Sequence, residues 1–151
     1  MFNRCWLWGL ALSAMLMAQV AMAFPCFITI SKDSCWTNYA VTIDVLDGDT
    51  QKIITTIAIP KGESWSRGRF EAKPNQVFML RAKFEPAFWK EGEGKLYYAK
   101  HYWILPKKVK GDTKAWHVAA CYPKNFSGIP LPPGAGSKCI CPEQDIPKAD
   151  D

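Results

Sequence analysis

Between Cys26 and Tyr122 the chain is written as short runs of alternating apolar and polar residues, cut by glycine, proline and asparagine. Val41, Ile43 and Val45 alternate with Thr42 and Asp44, the period-two pattern of a strand with one buried face. Asp47-Gly48-Asp49 then predicts a turn in which glycine supplies a positive φ, and the β-branched run Ile53 to Ile59 predicts the return strand of a hairpin. Phe78, Leu80, Ala82 and Phe84 alternate in the same way with Met79, Arg81 and Lys83. Weaker runs predict strands over 26–31, over 64–70, over 96–105 and over 116–122. The 64–70 run is polar enough to be a sheet edge. No stretch carries a helical stripe.

About seven short strands at this spacing predict an all-β chain, a single antiparallel β-sandwich of immunoglobulin-like or related type. The cysteine pair on facing strands with a tryptophan between, which marks antibody-type domains, is not evident in the sequence. After Phe126 the character changes. Gly128, Pro130, Pro132, Pro133, Gly134, Gly136, Pro142 and Pro147 forbid a regular element. The expected organisation is a leader over 1–23, a sandwich over 24–126 and an irregular Pro/Gly-rich tail over 127–151, pinned by its cysteines.

The leader reading rests on Asn3 and Arg4, the apolar run that follows, and the small-x-small ending Ala21-Met22-Ala23. The apolar segment from Cys5 to Ala23 also approaches the ~20 residues that span a bilayer, so an uncleaved N-terminal anchor is the alternative. Export to a periplasm or the extracellular space is the expectation. It turns Cys26, Cys35, Cys121, Cys139 and Cys141 into disulfide candidates. Cys26 and Cys35 flank the first strand, which makes a local bridge there the expectation, with Cys139 or Cys141 reaching Cys121. One cysteine of the five is left over. It is expected as a buried thiol, as the bond of a disulfide-linked homodimer, or as part of a Cys-x-Cys exchange site.

Charge adds little: the full chain carries a formal +5, one of which leaves with Arg4, and this does not argue for nucleic acid. Gly-x-Ser-x-Gly, His-Glu-x-x-His and phosphate-binding glycine loops are absent from the sequence. His101 and His117, on neighbouring strands, are the only histidines that could share a metal, and no ligand spacing demands one. No cofactor, metal or enzymatic activity is therefore expected. Asn125-Phe126-Ser127 is a formal glycosylation sequon.

The remaining signal is aromatic. If 96–105 is one strand, Tyr97, Ala99, His101, Trp103 and Leu105 line the core, while Tyr98, Lys100 and Tyr102 face solvent. Tyr98, Lys100 and Tyr102, with Trp89 and Trp103, are the candidate binding residues. The function expected is an exported, non-enzymatic module that binds another envelope or extracellular protein, by these side chains or by strand addition at 64–70. Glycan recognition by the same aromatics is the alternative, and thiol exchange at Cys139 and Cys141 a more distant one.

Overall fold

The structure, a computed structural model, describes residues 23–143 and 145–149. The leader, apart from Ala23, lies outside the described residues. The chain is an all-β sandwich of two sheets. Its strands in chain order are β1 (Phe24–Lys32), β2 (Ala40–Asp47), β3 (Ile53–Ile59), β4 (Trp65–Ala72), β5 (Val77–Glu85), β6 (Tyr97–Tyr98), β7 (Trp103–Ile104) and β8 (Trp116–Tyr122). One sheet has the order β4-β1-β8. The other runs β3-β2-β5-β6, with β7 also paired to β5. The described residues from 127 onward contain no strand or helix.

Alternation places the core as the sequence predicts. Ile28, Ile30, Val41, Ile43, Val45, Phe78, Leu80 and Ala82 are all at most 1% exposed, and they fill the space between the sheets. All but one of the pairings are antiparallel. The exception is β1 with β8, which run parallel from Cys26↔Trp116 to Lys32↔Tyr122. A parallel pair cannot be joined by a tight hairpin, and here most of the domain separates the two strands in sequence.

The Asp47-Gly48 turn forms, but not for the expected reason. The positive φ falls on Gln51, at 61°, while Asp47 Oδ1 accepts the amides of Asp49 and Thr50 at 3.0 and 2.8 Å. Gly48 is required for close approach instead. Its amide donates to Val77 O at 2.8 Å, and a Cβ there would lie 2.8 Å from Val77 Cγ1 and 2.9 Å from that carbonyl oxygen. A second glycine, Gly68 on β4, lets the sheets close at a corner, because its missing Cβ would lie 2.6 Å from Ile57 Cγ1 of β3.

The expected strand over 96–105 divides into β6 and β7. Between the pairings Arg81↔Tyr98 and Phe78↔Trp103 the facing segment advances further than β5 does, so the residues between bulge outward. The bulge arises because the backbone there is shared with a second neighbour. Ala99 N donates to Leu80 O, but Lys100 N donates to Asn125 O, and Ser127 N donates to Tyr98 O. His101, assigned to the core by strict alternation, is consequently exposed.

At one pole of the sandwich β1 and β8 end and β2 and β4 begin. Lys32 lies there inside the core, 1% exposed, with Nζ donating to Tyr39 O at 2.7 Å and Pro60 O at 2.9 Å. Burial lowers its pKa, and Glu63 acts in the opposite sense. Next to it the indole of Trp36 packs edge-on against Phe84 and Tyr122, with ring centroids 4.8 Å away in each case.

Two outcomes follow from this packing. Lys32→Met keeps the apolar stem but strands two carbonyls, and a loss of about 1–3 kcal/mol is expected in denaturant unfolding with the slope unchanged. Gly68→Ala overpacks Ile57 at a cost of about 1–3 kcal/mol. In combination with Ile57→Ala its cost falls short of the sum of the single changes by more than about 0.5 kcal/mol, which a double-mutant cycle reads directly.

Candidate functional site

The solvent face of the five-stranded sheet carries a cross-strand row. Thr56 on β3 donates to Asp44 Oδ1 on β2 at 2.9 Å, and Arg81 on β5 donates to Asp44 Oδ2 through Nη2 at 2.7 Å and Nε at 3.2 Å. The Asp44 carboxylate raises the pKa of Arg81, and the adjacent Tyr98 phenol adds to the effect. The row ends at Tyr98, opposite Arg81 in the register and 47% exposed. The guanidinium is fixed by a neighbouring carboxylate, so the tyrosine beside it stands on an ordered base.

Tyr102 is carried out by the bulge and is 51% exposed, and Ile104 on β7, opposite Val77, is 68% exposed. Tyr98 and Ile104 thus bracket a strip about 13 Å long on the sheet's outer edge, taking ~3.3 Å per residue along β5. Ile104 is the member of this strip that sequence reasoning missed. It shares the parity of Tyr98 and Tyr102, and the two extra residues of the bulge leave that outward phase unchanged.

The other aromatic and basic candidates do not join the strip. Trp103 turns inward and is half-buried, its ring stacked on Phe78 with centroids 5.8 Å apart. Lys100 turns to the neighbouring loop, where Nζ donates to Lys124 O at 2.9 Å. Trp89 is 48% exposed but follows the far end of β5, beside Phe88 at the Trp36 pole. The five residues therefore fall into four places rather than one patch.

The histidines are also apart. His117 lies on the outer face of β8, stacked on Phe27 of β1 with centroids 5.5 Å apart, whereas His101 packs against Trp103 at 4.1 Å beside the other sheet. Asp33, Cys35 and Cys139 form the one close grouping of potential metal donors among the described residues. Both of its sulfurs belong to a disulfide, which removes them as thiolate ligands. The sequon asparagine, Asn125, is built into a turn: its Oδ1 accepts the amide of Cys121 at 2.7 Å.

The bridges are Cys35–Cys139, closing 104 residues, and Cys121–Cys141, closing 20. Cys121 is thus reached from the Cys-x-Cys pair as expected, but the local Cys26–Cys35 bridge does not form. Cys26 points into the core, 0% exposed, on the face of β1 opposite to the side approached by the tail. Burial pushes its thiol up to about 12. A thiol so placed and so weakly acidic is neither a nucleophile nor within reach of a second chain. Two disulfides fit an oxidising, non-cytoplasmic location, and no helix among the described residues is long and apolar enough to cross a membrane.

In comparisons with known proteins, no family model, no curated protein and no solved structure matches the chain. Its site is therefore read from its own geometry.

The state of Cys26 is directly measurable. A thiol reagent at pH 8 is expected to find essentially no reactive sulfur in the native mature protein. It should find one per chain in concentrated guanidinium without reductant. A full equivalent reacting under native conditions would contradict the buried position.

Proposed function

We propose that this is an exported, non-enzymatic interaction module that binds another envelope or extracellular protein. Binding would use the outer edge of the five-stranded sheet. The observation that carries the reading is the strip formed by Tyr98, Tyr102 and Ile104, three large side chains left about half or more exposed beside an ordered Arg81–Asp44 pair. Exposed aromatics next to an arginine are the composition of interface anchors, which bury much apolar area at little cost in side-chain entropy. The two disulfides and the N-terminal leader pattern support export.

Side-chain docking is better supported than strand addition at 64–70. β4 is an edge strand, as its polar sequence suggests, but Ile57 of β3 sits against its Gly68 and narrows access there. Glycan recognition has less support, because Trp89 lies at the opposite end of β5 and no continuous stacking platform joins it to Tyr98 and Tyr102. Thiol exchange has less again. Cys139 and Cys141 are bonded to different partners, and the free thiol is buried.

The test is site-specific photo-cross-linking in the source cell. A benzophenone side chain in place of Tyr98 or Tyr102 is expected to give a discrete covalent adduct to one protein, and the same probe at Thr56, exposed further along that sheet, to give none. Equal adduct patterns from all three positions would overturn this use of the strip. An adduct that disappears on deglycosylation would shift the reading to a glycan.

A further inference from the structure

The three-stranded sheet has its own occupied groove, on the side of the sandwich away from the aromatic strip. Its floor is the outer face of β1 and β8, with small residues in register as Thr29↔Ala119 and Ser31↔Cys121 and with His117 of β8 beside them. Arg67 of β4 forms one wall, and Lys124, in the turn after β8, forms the other. The roof is the chain's own C-terminal segment, which leaves the Cys121–Cys141 bridge and lines the groove with Glu143 and with residues 146–149. Ser31 faces outward by alternation, yet it is only 4% exposed. The groove encloses about 840 Å³.

Arg67 is prepared for a peptide. Its Nε donates to Thr29 Oγ1 at 2.8 Å, and its guanidinium lies 5.1 Å from the centre of the Trp65 ring. That fixes the fork, and Nη2 donates to the backbone carbonyl of Pro147. The occupant is an irregular segment, met at the Pro147 carbonyl and with Ile146 half-buried. It forms no strand, and Pro147 has no N–H to offer a ladder.

Charge matches the seat to the occupant. Among the described residues of the segment, the carboxylates of Glu143 and Asp145 outweigh the single Lys148. The walls supply Arg67 and Lys124. We propose that this groove is a docking site for an acidic segment of a partner protein, and that the described tail residues, 143 and 145–149, hold it as a displaceable intramolecular strap. The strap is rooted at Cys141, which keeps it close to the groove at high effective concentration, so a partner binds only by displacing it. This surface is separate from the Tyr98 strip, and its test does not depend on that reading.

The experiment uses the full mature chain and a fluorescein-labelled peptide of sequence 142–151, followed by anisotropy. Wild type is expected to bind the peptide weakly. Glu143→Lys with Asp145→Lys reverses the strap's charge near its root and is expected to raise the apparent affinity at least tenfold. Adding Arg67→Gln to that variant is expected to remove most of the gain. Raised salt is expected to weaken binding throughout. Equal affinity of wild type and strap variant, insensitivity to Arg67→Gln, or no binding to any form would overturn the proposal. Wild type running as a dimer that dissociates in the strap variant would also overturn it, since the occupant would then be the tail of a second copy. Matching thermal unfolding of the variants, run alongside, shows that each is folded.

Discussion

The ammonium of Lys32 is the constraint around which the molecule is organised. A lysine with 1% exposure is costly unless its donors are met, and here the carbonyls of Tyr39 and Pro60 meet them. Those two acceptors belong to different connections, one leading from β1 into β2 and the other from β3 into β4. Satisfying one buried charge thus fixes the end of β1 against two of the crossings between sheets. The same pole holds the Trp36 cluster and the root of Cys35, whose bridge to Cys139 brings the tail back. The tail is placed where it is because the pole is rigid, and the groove on β1 and β8 is roofed because the tail is placed there.

The legible part of the fold was what period-two alternation decides locally. β2 and β5 have one face buried, so their side-chain pattern determines their register and inward set, and the hairpin to β3, which buries Ile57 and Ile59, follows from the turn residues. The division of 96–105 was hidden, because its cause lies outside the segment. Lys100 and Tyr98 exchange backbone hydrogen bonds with Asn125 and Ser127, and no local pattern at 96–105 records that neighbour. Gly48 shows the same limit in a smaller way: an Asp-Gly pair reads as a turn signal, whereas the glycine answers to the backbone of Val77.

The cysteines divide similarly. Their number made one thiol odd, and sequence alone could state that. Which one is odd depends on the inward face of β1, where Cys26 takes its turn in the series with Ile28 and Ile30. The alternation needed to see this was present in the sequence, but proximity along the chain favoured a Cys26–Cys35 bridge. The facing of the strand outweighed that proximity. At the candidate site Tyr98 and Tyr102 kept their predicted exposure, Trp103 packs inward as the alternation placed it, Lys100 was drawn into a loop bond, and Ile104 joins the strip by the parity it shares with Tyr98.

The sandwich leaves few ordinary places for a partner. Ile57 against Gly68 closes the corner between β3 and β4, and the bridge Ala99↔Phe126 joins the edge at β6 to the turn that follows β8. With these corners closed, the proposed recognition falls to the sheet faces. On the five-stranded sheet the available face is paired polar side chains ending in exposed aromatics. On the three-stranded sheet it is small side chains between two cations, covered by the chain itself. The first surface suits a flat contact held by side chains, the second an acidic segment. The disulfides influence the two surfaces unequally. They root the strap at Cys141 and thereby control access to the groove, while the Tyr98 strip rests on the Asp44–Arg81 pair, strand pairing and the backbone bonds to Asn125 and Ser127. Reduction under folding conditions would therefore act first on the groove, by freeing its cover, before it reached the aromatic edge.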